Sequence, residues 1–192
     1  MKENKKTAAI KVVRFGTEHI PYINDMNDAF PIFGRLVPSF RDGEWTHEEE
    51  LFADVRIASF PDDRLDWDTY IGSDHKAVFL AFYGSECVGQ VRLVRDWTGY
   101  AYIENIAVRG SHRGRGVSGM LMDKAEQWAR EQELHGLSLE AQGDNLAACR
   151  FYLKRGMRLG GVDTLKQAFN PEIETTLYFY EIFEEPSLNG KE

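Results

Sequence analysis

Tyr100-Ala-Tyr-Ile-Glu-Asn-Ile-Ala-Val108 runs directly into Arg109-Gly-Ser-His-Arg-Gly-Arg-Gly-Val-Ser-Gly119. The first half is rich in β-branched and aromatic residues and free of Gly and Pro, which predicts a buried strand. Beyond the turn, Val117, Met120, Leu121, Ala125, Trp128 and Ala129 recur at helical spacing. A strand therefore feeds a helix through a turn rich in glycine and arginine. Backbone amides of such a turn lie at the positive end of the helix dipole, and small residues let an anion approach them closely. The turn has the makings of a phosphate cradle.

On either side the chain divides into further elements. Residues 8–15 read as a first strand, and Thr17-Glu18 can cap a helix running through Ile20, Ile23, Met26, Asn27 and Phe30. Residues 31–42, with two prolines and a glycine ahead of Asp42, read as irregular. Thr46-His-Glu-Glu49 has capping-box spacing and predicts a short helix through Leu51, Phe52 and Val55. Residues 59–75 form a polar loop carrying five aspartates, Trp67 and Tyr70, long enough to be functional or mobile. Strands at 76–83 and 87–95 join through Gly84-Ser85-Glu86 as a hairpin, and the Tyr100 strand completes a meander. The long helix ends near Glu133; a strand at 136–141, a helix at 145–155 and strands at 157–163 and 175–183 follow. The pattern is α+β, or mixed α/β: a single domain over 9–183 with one central, mostly antiparallel sheet, flanking helices and a βαβα unit. Residues 1–8 and 184–192 are expected to be loose tails.

Composition narrows the function. At 192 residues with 43% apolar and 12% aromatic content, the chain suits one globular core. Cys87 and Cys149 fall inside regular elements, so buried free thiols and a reducing cytoplasm are expected. No run is long enough to cross a bilayer, so no membrane partner is expected. The net charge of −8 is uneven, with −9 between Asp42 and Asp74 and +1 elsewhere. Such a balance disfavours nucleic acid and favours a cationic small molecule. A homodimer stays open. No His/Cys cluster has metal-ligand spacing, and no Ser/His/Asp arrangement stands out, so metal catalysis and an acyl-enzyme are not expected.

Three readings compete for the turn. Gly114-Arg-Gly116-Val-Ser-Gly119 matches G-x-G-x-x-G, with Glu140 near where a ribose-binding acid would fall. Five residues separate Val108 from Gly114, however, and no second βαβ half follows. A P-loop lacks its Gly-Lys-Ser/Thr. A purely structural turn would use glycine where φ must be positive. The third reading rests on Arg113-x-x-Gly116-x-Ser118 together with Asn145-x-x-Ala148-x-x-Phe151-Tyr152-x-x-x-Gly156-Met157. These motifs resemble the GNAT superfamily of N-acetyltransferases, with Ser118 in place of a preferred Gly or Ala and Met157 in place of Phe. The resemblance extends over about residues 75–183. Tyr100–Val108, His135-Gly-Leu-Ser-Leu-Glu140 and Gly161-Val-Asp-Thr164 are similar to the streptothricin acetyltransferases, which acetylate an amine of the antibiotic's β-lysine moiety.

That resemblance implies acetyl-CoA as cosubstrate and no metal. Its pyrophosphate would meet the backbone of Arg113, Gly114, Arg115, Gly116, Val117, Ser118 and Gly119, with Ile106, Ala107 and Val108 along the strand and Asn145 near the pantetheine arm. Transfer to an amine requires a neutral nucleophile, a stabilised oxyanion and a proton for the departing thiolate. Tyr152 would give that proton, or is a packed core tyrosine. Glu104, an acid in an apolar strand, would take the ammonium proton or orient the amine. A backbone N–H near Val108, where the strand must bend, would meet the oxyanion. Arg113 and Arg115, with Arg109 and His112, form a cationic patch for phosphates or a solvated face. Asp66, Trp67 and Asp68, beside Asp62, Asp63 and Tyr70, would receive a polyamine or form a hydrated acidic loop, and Asp163 is a second substrate candidate. The function implied is acetylation of a cationic amine, most simply streptothricin, giving antibiotic resistance. A polyamine, aminoglycoside or protein amine is the alternative substrate, and a non-catalytic acyl-CoA-binding module the alternative class.

Overall fold

The computed structural model describes residues 9–184, so the tails expected to be loose, at 1–8 and after residue 184, lie outside the described residues. In chain order the elements are β1 (Ile10–Arg14), β2 (Phe30–Arg41), β3 (Glu44–Ala58), β4 (Lys76–Tyr83), β5 (Glu86–Arg95), β6 (Ala101–Val108), α1 (Val117–Glu131), β7 (Gly136–Gln142), α2 (Leu146–Lys154), β8 (Arg158–Asp163) and β9 (Thr176–Ile182). Seven strands make one mixed sheet in the order β1-β4-β5-β6-β7-β9-β8. Only β6 and β7 run parallel, across the α1 crossover, and every other neighbouring pair is antiparallel. The architecture is the α+β domain with a central sheet that the pattern implied.

The apolar run of β4 follows from burial on both faces. Ala77, Phe79 and Ala81 join the core under α1, while Val78 and Leu80 pack with Phe15, Met26, Tyr70 and Cys87 on the opposite face. α1 lays Val117, Leu121, Ala125, Trp128 and Ala129 onto the sheet. A Cβ at Gly89 would come within 3.0 Å of the Val117 and Leu121 side chains, so glycine there lets the first turns of α1 settle on β5. Burial contributes roughly 1.5–3 kcal/mol per large apolar side chain. The exposed Arg130–Glu126 pair on the same helix adds only a few tenths, ~0.2–0.5 kcal/mol. Packing against the sheet therefore holds α1. No helix among the described residues is long and apolar enough to cross a membrane.

Residues 17–58 differ from the sequence expectation. The first helix stops as a 3₁₀ turn at Thr17–Tyr22, because Pro21 has no N–H to donate and Asn24 takes a left-handed φ of 70°. The irregular segment and the helix expected from Thr46 are instead β2 and β3, a long hairpin. Its turn is Asp42-Gly43, both at positive φ (54° and 85°), which matches strand twist in a two-residue hairpin loop. Pro31 and Pro38 fit because each strand of a two-stranded ribbon has an edge needing no donors. Glutamates that favour a helix on propensity find cross-strand and interelement partners instead: Glu50 pairs with Arg35 at 2.8 Å, and Glu49 with Arg150 of α2 at 2.9 Å. The inward face of β2 buries Ile32 and Leu36, and β2 packs along α2.

Candidate active site

β6 and β7 keep parallel register only through Ala101–Leu137, Tyr102–Ser138 and Ile103–Leu139. Beyond that point β6 stays with β5 as far as Val108, and β7 stays with β9 as far as Gln142, so the strands part. The gap is a cleft in two adjoining halves of about 360 and 410 Å³, each within the size of a small-molecule site. Phe60, Ile106, Asn145, Ala148 and Tyr152 border both halves. One half reaches the glycine turn through Ala107, Val108, Arg113, Gly114 and Ser118. The other is lined by Tyr102, Glu104, Glu140 and Thr176.

At the glycine turn, Gly116 caps α1 in the left-handed conformation (φ 82°) and its carbonyl accepts the first helical bond, from Met120 N–H at 3.1 Å. The amides of Val117, Ser118 and Gly119 precede that bond and have no intrahelical carbonyl. No atom lies within 4 Å of where a Gly119 Cβ would stand, so neither packing nor a positive φ demands glycine there. The open space there would let an anion approach the backbone closely. The expected cationic patch is mostly used internally. Arg113 donates from Nε to Val108 O (2.9 Å), from Nη1 to Ala29 O (2.8 Å) and from Nη2 to Asp28 O (2.8 Å), so it struts the turn against the start of β2. Arg109 donates to Asp25 O and faces Glu86 at 3.4 Å. His112 is buried against Tyr83. Arg115, exposed like Arg113, is the one of the four bonded to no described residue. The Val117 side chain belongs to the core, and Asn145 caps α2 by accepting Ala148 N–H at 3.2 Å.

At the other end, a β-bulge falls on Glu104: Leu93 pairs with Ile103 and Arg92 with Asn105, leaving Glu104 as the extra residue. The strand therefore bends four residues ahead of Val108, where sequence reasoning expected it. Glu104 Oε2 accepts from Tyr70 Oη (2.7 Å) and Arg92 Nε (3.0 Å), and Arg92 Nη1 reaches Asp63 Oδ2 at 2.6 Å. Oε1 accepts from no described residue. Burial alone would lower the Arg92 pKa, but Asp63 and Glu104 hold it above its ordinary value. Burial, then the bond to Glu104, pushes the Tyr70 phenol well up. Trp67 lies 5.8 Å from the Arg92 guanidinium and backs it, and does not line the cleft. Asp66 and Asp68 are exposed and outside the lining. Asp163 is committed to a turn: its Oδ1 accepts from Leu165 and Lys166 N–H at 2.8 and 2.9 Å, which holds its carboxyl below the usual range. The structure thus gathers Tyr152, Glu104, Asn145 and the glycine turn, and leaves Asp66, Trp67, Asp68 and Asp163 outside.

Tyr152 stands between the halves on α2, 7% exposed. Burial, with a smaller contribution from Cys149, pushes its phenol well above the ordinary value. Arg92 was not recognised from sequence as a site residue, Asp63 was read only as part of the acidic loop, and Glu140 only as a possible ribose-binding acid. The logic that singled out Glu104 applies equally to Arg92: a buried charge in an apolar strand needs an opposite partner. Among the described residues no group of three or more His, Cys, Asp or Glu side chains is placed to hold a metal.

Residues 39–157 match the model of the acetyltransferase (GNAT) family, and the chain belongs to that family; it is an N-acetyltransferase. Among its relatives, streptothricin acetyltransferase A of Bacillus subtilis (strain 168) is 38% identical over 158 residues, 82% of this chain and 91% of that protein. A crystal structure from Bacillus anthracis str. Ames, assigned as a streptothricin acetyltransferase in complex with acetyl coenzyme A, superposes with a TM-score of 0.84 at 30% identity, covering 92% of this chain and 99% of that one. The nourseothricin acetyltransferase structure, at 24% identity and a TM-score of 0.75 over 91% of this chain and 98% of that one, shares the fold.

Proposed function

We propose that this chain moves the acetyl group of acetyl-CoA onto an amine of streptothricin, on its β-lysine moiety, and so confers resistance. The observation that carries the reading is a pair of adjoining cavities that share Tyr152, with helix-terminal amides lacking intrahelical partners at one end, a carboxylate at the other and a buried phenol between. The relatives supply the substrate name.

The cradle suits the phosphates of acetyl-CoA: the amides of Val117, Ser118 and Gly119 have no intrahelical carbonyl, Ser118 lines the cleft, Gly119 leaves space, and Arg115 is free to pair. Bound there, acetyl-CoA supplies the thioester and the thiol leaving group. Past Ile103, β6 has lost its β7 partner, so its backbone on that side can meet the acetyl carbonyl. Glu104, fixed through Oε2, presents Oε1 to the incoming ammonium, orients it and accepts its proton. Tyr152 holds a proton on Oη at neutral pH and is the donor beside the leaving group. Ile106, Ala107, Val108 and Asn145 shape the passage between the two ends.

Expression in a streptothricin-sensitive bacterium tests the reading. Resistance that disappears with Tyr152→Phe is expected. Full sensitivity despite abundant folded protein would move the substrate to a polyamine, an aminoglycoside or a protein amine.

A further inference from the structure

Two carboxylates flank the point where β6 and β7 part. Glu104 and Glu140 each stand one residue beyond the last registered pair, Ile103–Leu139, and both line the same half of the cleft. Their cationic partners differ in kind. Arg92, which holds Glu104, is 7% exposed at its side chain and is further tied to Asp63, so it is a fixed part of the sheet. Lys166, which holds Glu140 through Nζ and Oε1, is 40% exposed and comes from the loop between β8 and β9.

The surroundings of that Lys166 ammonium are those of an amine site. Its Nζ lies 5.8 Å from the centroid of the Tyr178 ring, and Tyr102 lines the same half of the cleft as Glu140. The loop that carries it is held at Asp163 and, from residue 172 onward, by Arg56 Nη2 donating to Glu172 O at 3.2 Å, by the Arg35–Glu174 pair and by Gly143 N–H donating to Thr175 O at 3.0 Å. Around Lys166, Leu165 is 78% exposed and Phe169 fully exposed, so no apolar side chain at these two positions presses the loop onto the domain, and its apolar contact comes later, at half-buried Ile173. Lifting Lys166 from Glu140 would give up one partly hydrated ion pair, worth little on its own.

The geometry points to Glu140 as the binding carboxylate for a second cationic group of the substrate, with Lys166 as the chain's own occupant of that subsite, displaced when the substrate's cation enters. The inference deepens the proposed function and rests on its assignment of Glu104 to the reacting amine. It makes the enzyme selective for molecules with at least two charged amines, one for each carboxylate. A monoamine engages Glu104 and leaves Lys166 where it is.

Calorimetric titration of wild type, Glu140→Gln and Lys166→Gln with streptothricin, spermidine and butylamine tests this, with Lys154→Gln as a control for a charge removed elsewhere. Glu140→Gln is expected to weaken streptothricin and spermidine by roughly 10- to 100-fold, the loss of a charge-assisted bond, while butylamine changes by less than about threefold. Lys166→Gln is expected to tighten both polycations by roughly 3- to 10-fold, and Lys154→Gln to leave them near wild type. A purely structural ion pair would move both cleft variants in the same direction. That result, no shift in either variant, or no saturable binding of either polycation to wild type overturns the proposal. Thiol release from acetyl-CoA by the wild type, measured separately, reports on the transfer reaction: binding shifts as expected with no release would sink the proposed function and keep the subsite.

Discussion

With Tyr152 replaced by Phe, kcat is expected to fall roughly 10- to 1,000-fold, the loss typical of a missing general acid, with acetyl-CoA affinity little changed. The ring is packed between Phe151 and Phe179, with centroids at 5.5 and 5.6 Å, and Phe preserves that packing. A tyrosine kept only for packing would bury its hydroxyl on a partner. The Tyr152 hydroxyl has no hydrogen bond to any described residue, and the residue borders both halves of the cleft. Its phenol is raised by burial, so the neutral, donating form persists past the pH near 10 at which an ordinary tyrosine ionises. Wild-type kcat should therefore show no fall from Tyr152 ionisation as the pH rises through 9. Unchanged turnover in the Phe variant would reduce Tyr152 to a packing role.

Arg92→Leu should destabilise the fold by roughly 2–4 kcal/mol. Removing one partner of a buried pair costs about 3–5 kcal/mol, and the lower figure allows for the water that Asp63 and Glu104 retain. Arg92 is buried and neutralises both carboxylates, with side-chain exposures of 34% for Asp63 and 26% for Glu104. Leucine would fill the strand position and leave two charges without their partner. The loss should show as a shift in the urea midpoint at constant m-value. Because Arg92 also fixes Glu104 Oε2, KM for the amine should rise while KM for acetyl-CoA stays level. Wild-type stability and an unmoved amine KM would show that the Asp63–Arg92–Glu104 network is incidental.

The sheet from β4 to β9 and both α-helices were legible because strong local patterns coincide with their burial. β4 is apolar throughout because both faces are covered, and α1 carries a single stripe. Residues 30–58 were not legible. Glu48-Glu49-Glu50 and Leu51 carry helix propensity, and only partners far along the chain, Arg35 and Arg150, make the extended form preferable. The Asp42-Gly43 pair was the local signal for the hairpin, and it was outweighed by the prolines and the capping-box spacing. At the site, the family resemblance carried by motifs within one turn and one helix indicated Gly116, Ser118, Asn145 and Tyr152. Charges recruited across strands and from loops, as in Asp63–Arg92–Glu104 and Glu140–Lys166, carry no local spacing signal. The same limit explains Arg113. Sequence shows a cation in a phosphate-like turn, but only the fold shows that three carbonyls already occupy it.

The most direct test of the account is the rate of thiol release from acetyl-CoA by the purified protein on addition of streptothricin, with mass spectrometry of the product. The account predicts release that saturates with streptothricin, a product heavier by one acetyl group on the β-lysine moiety, and a rate that falls with Tyr152→Phe. Thiol release that is no faster with streptothricin than without it, from protein that binds acetyl-CoA, would contradict the account.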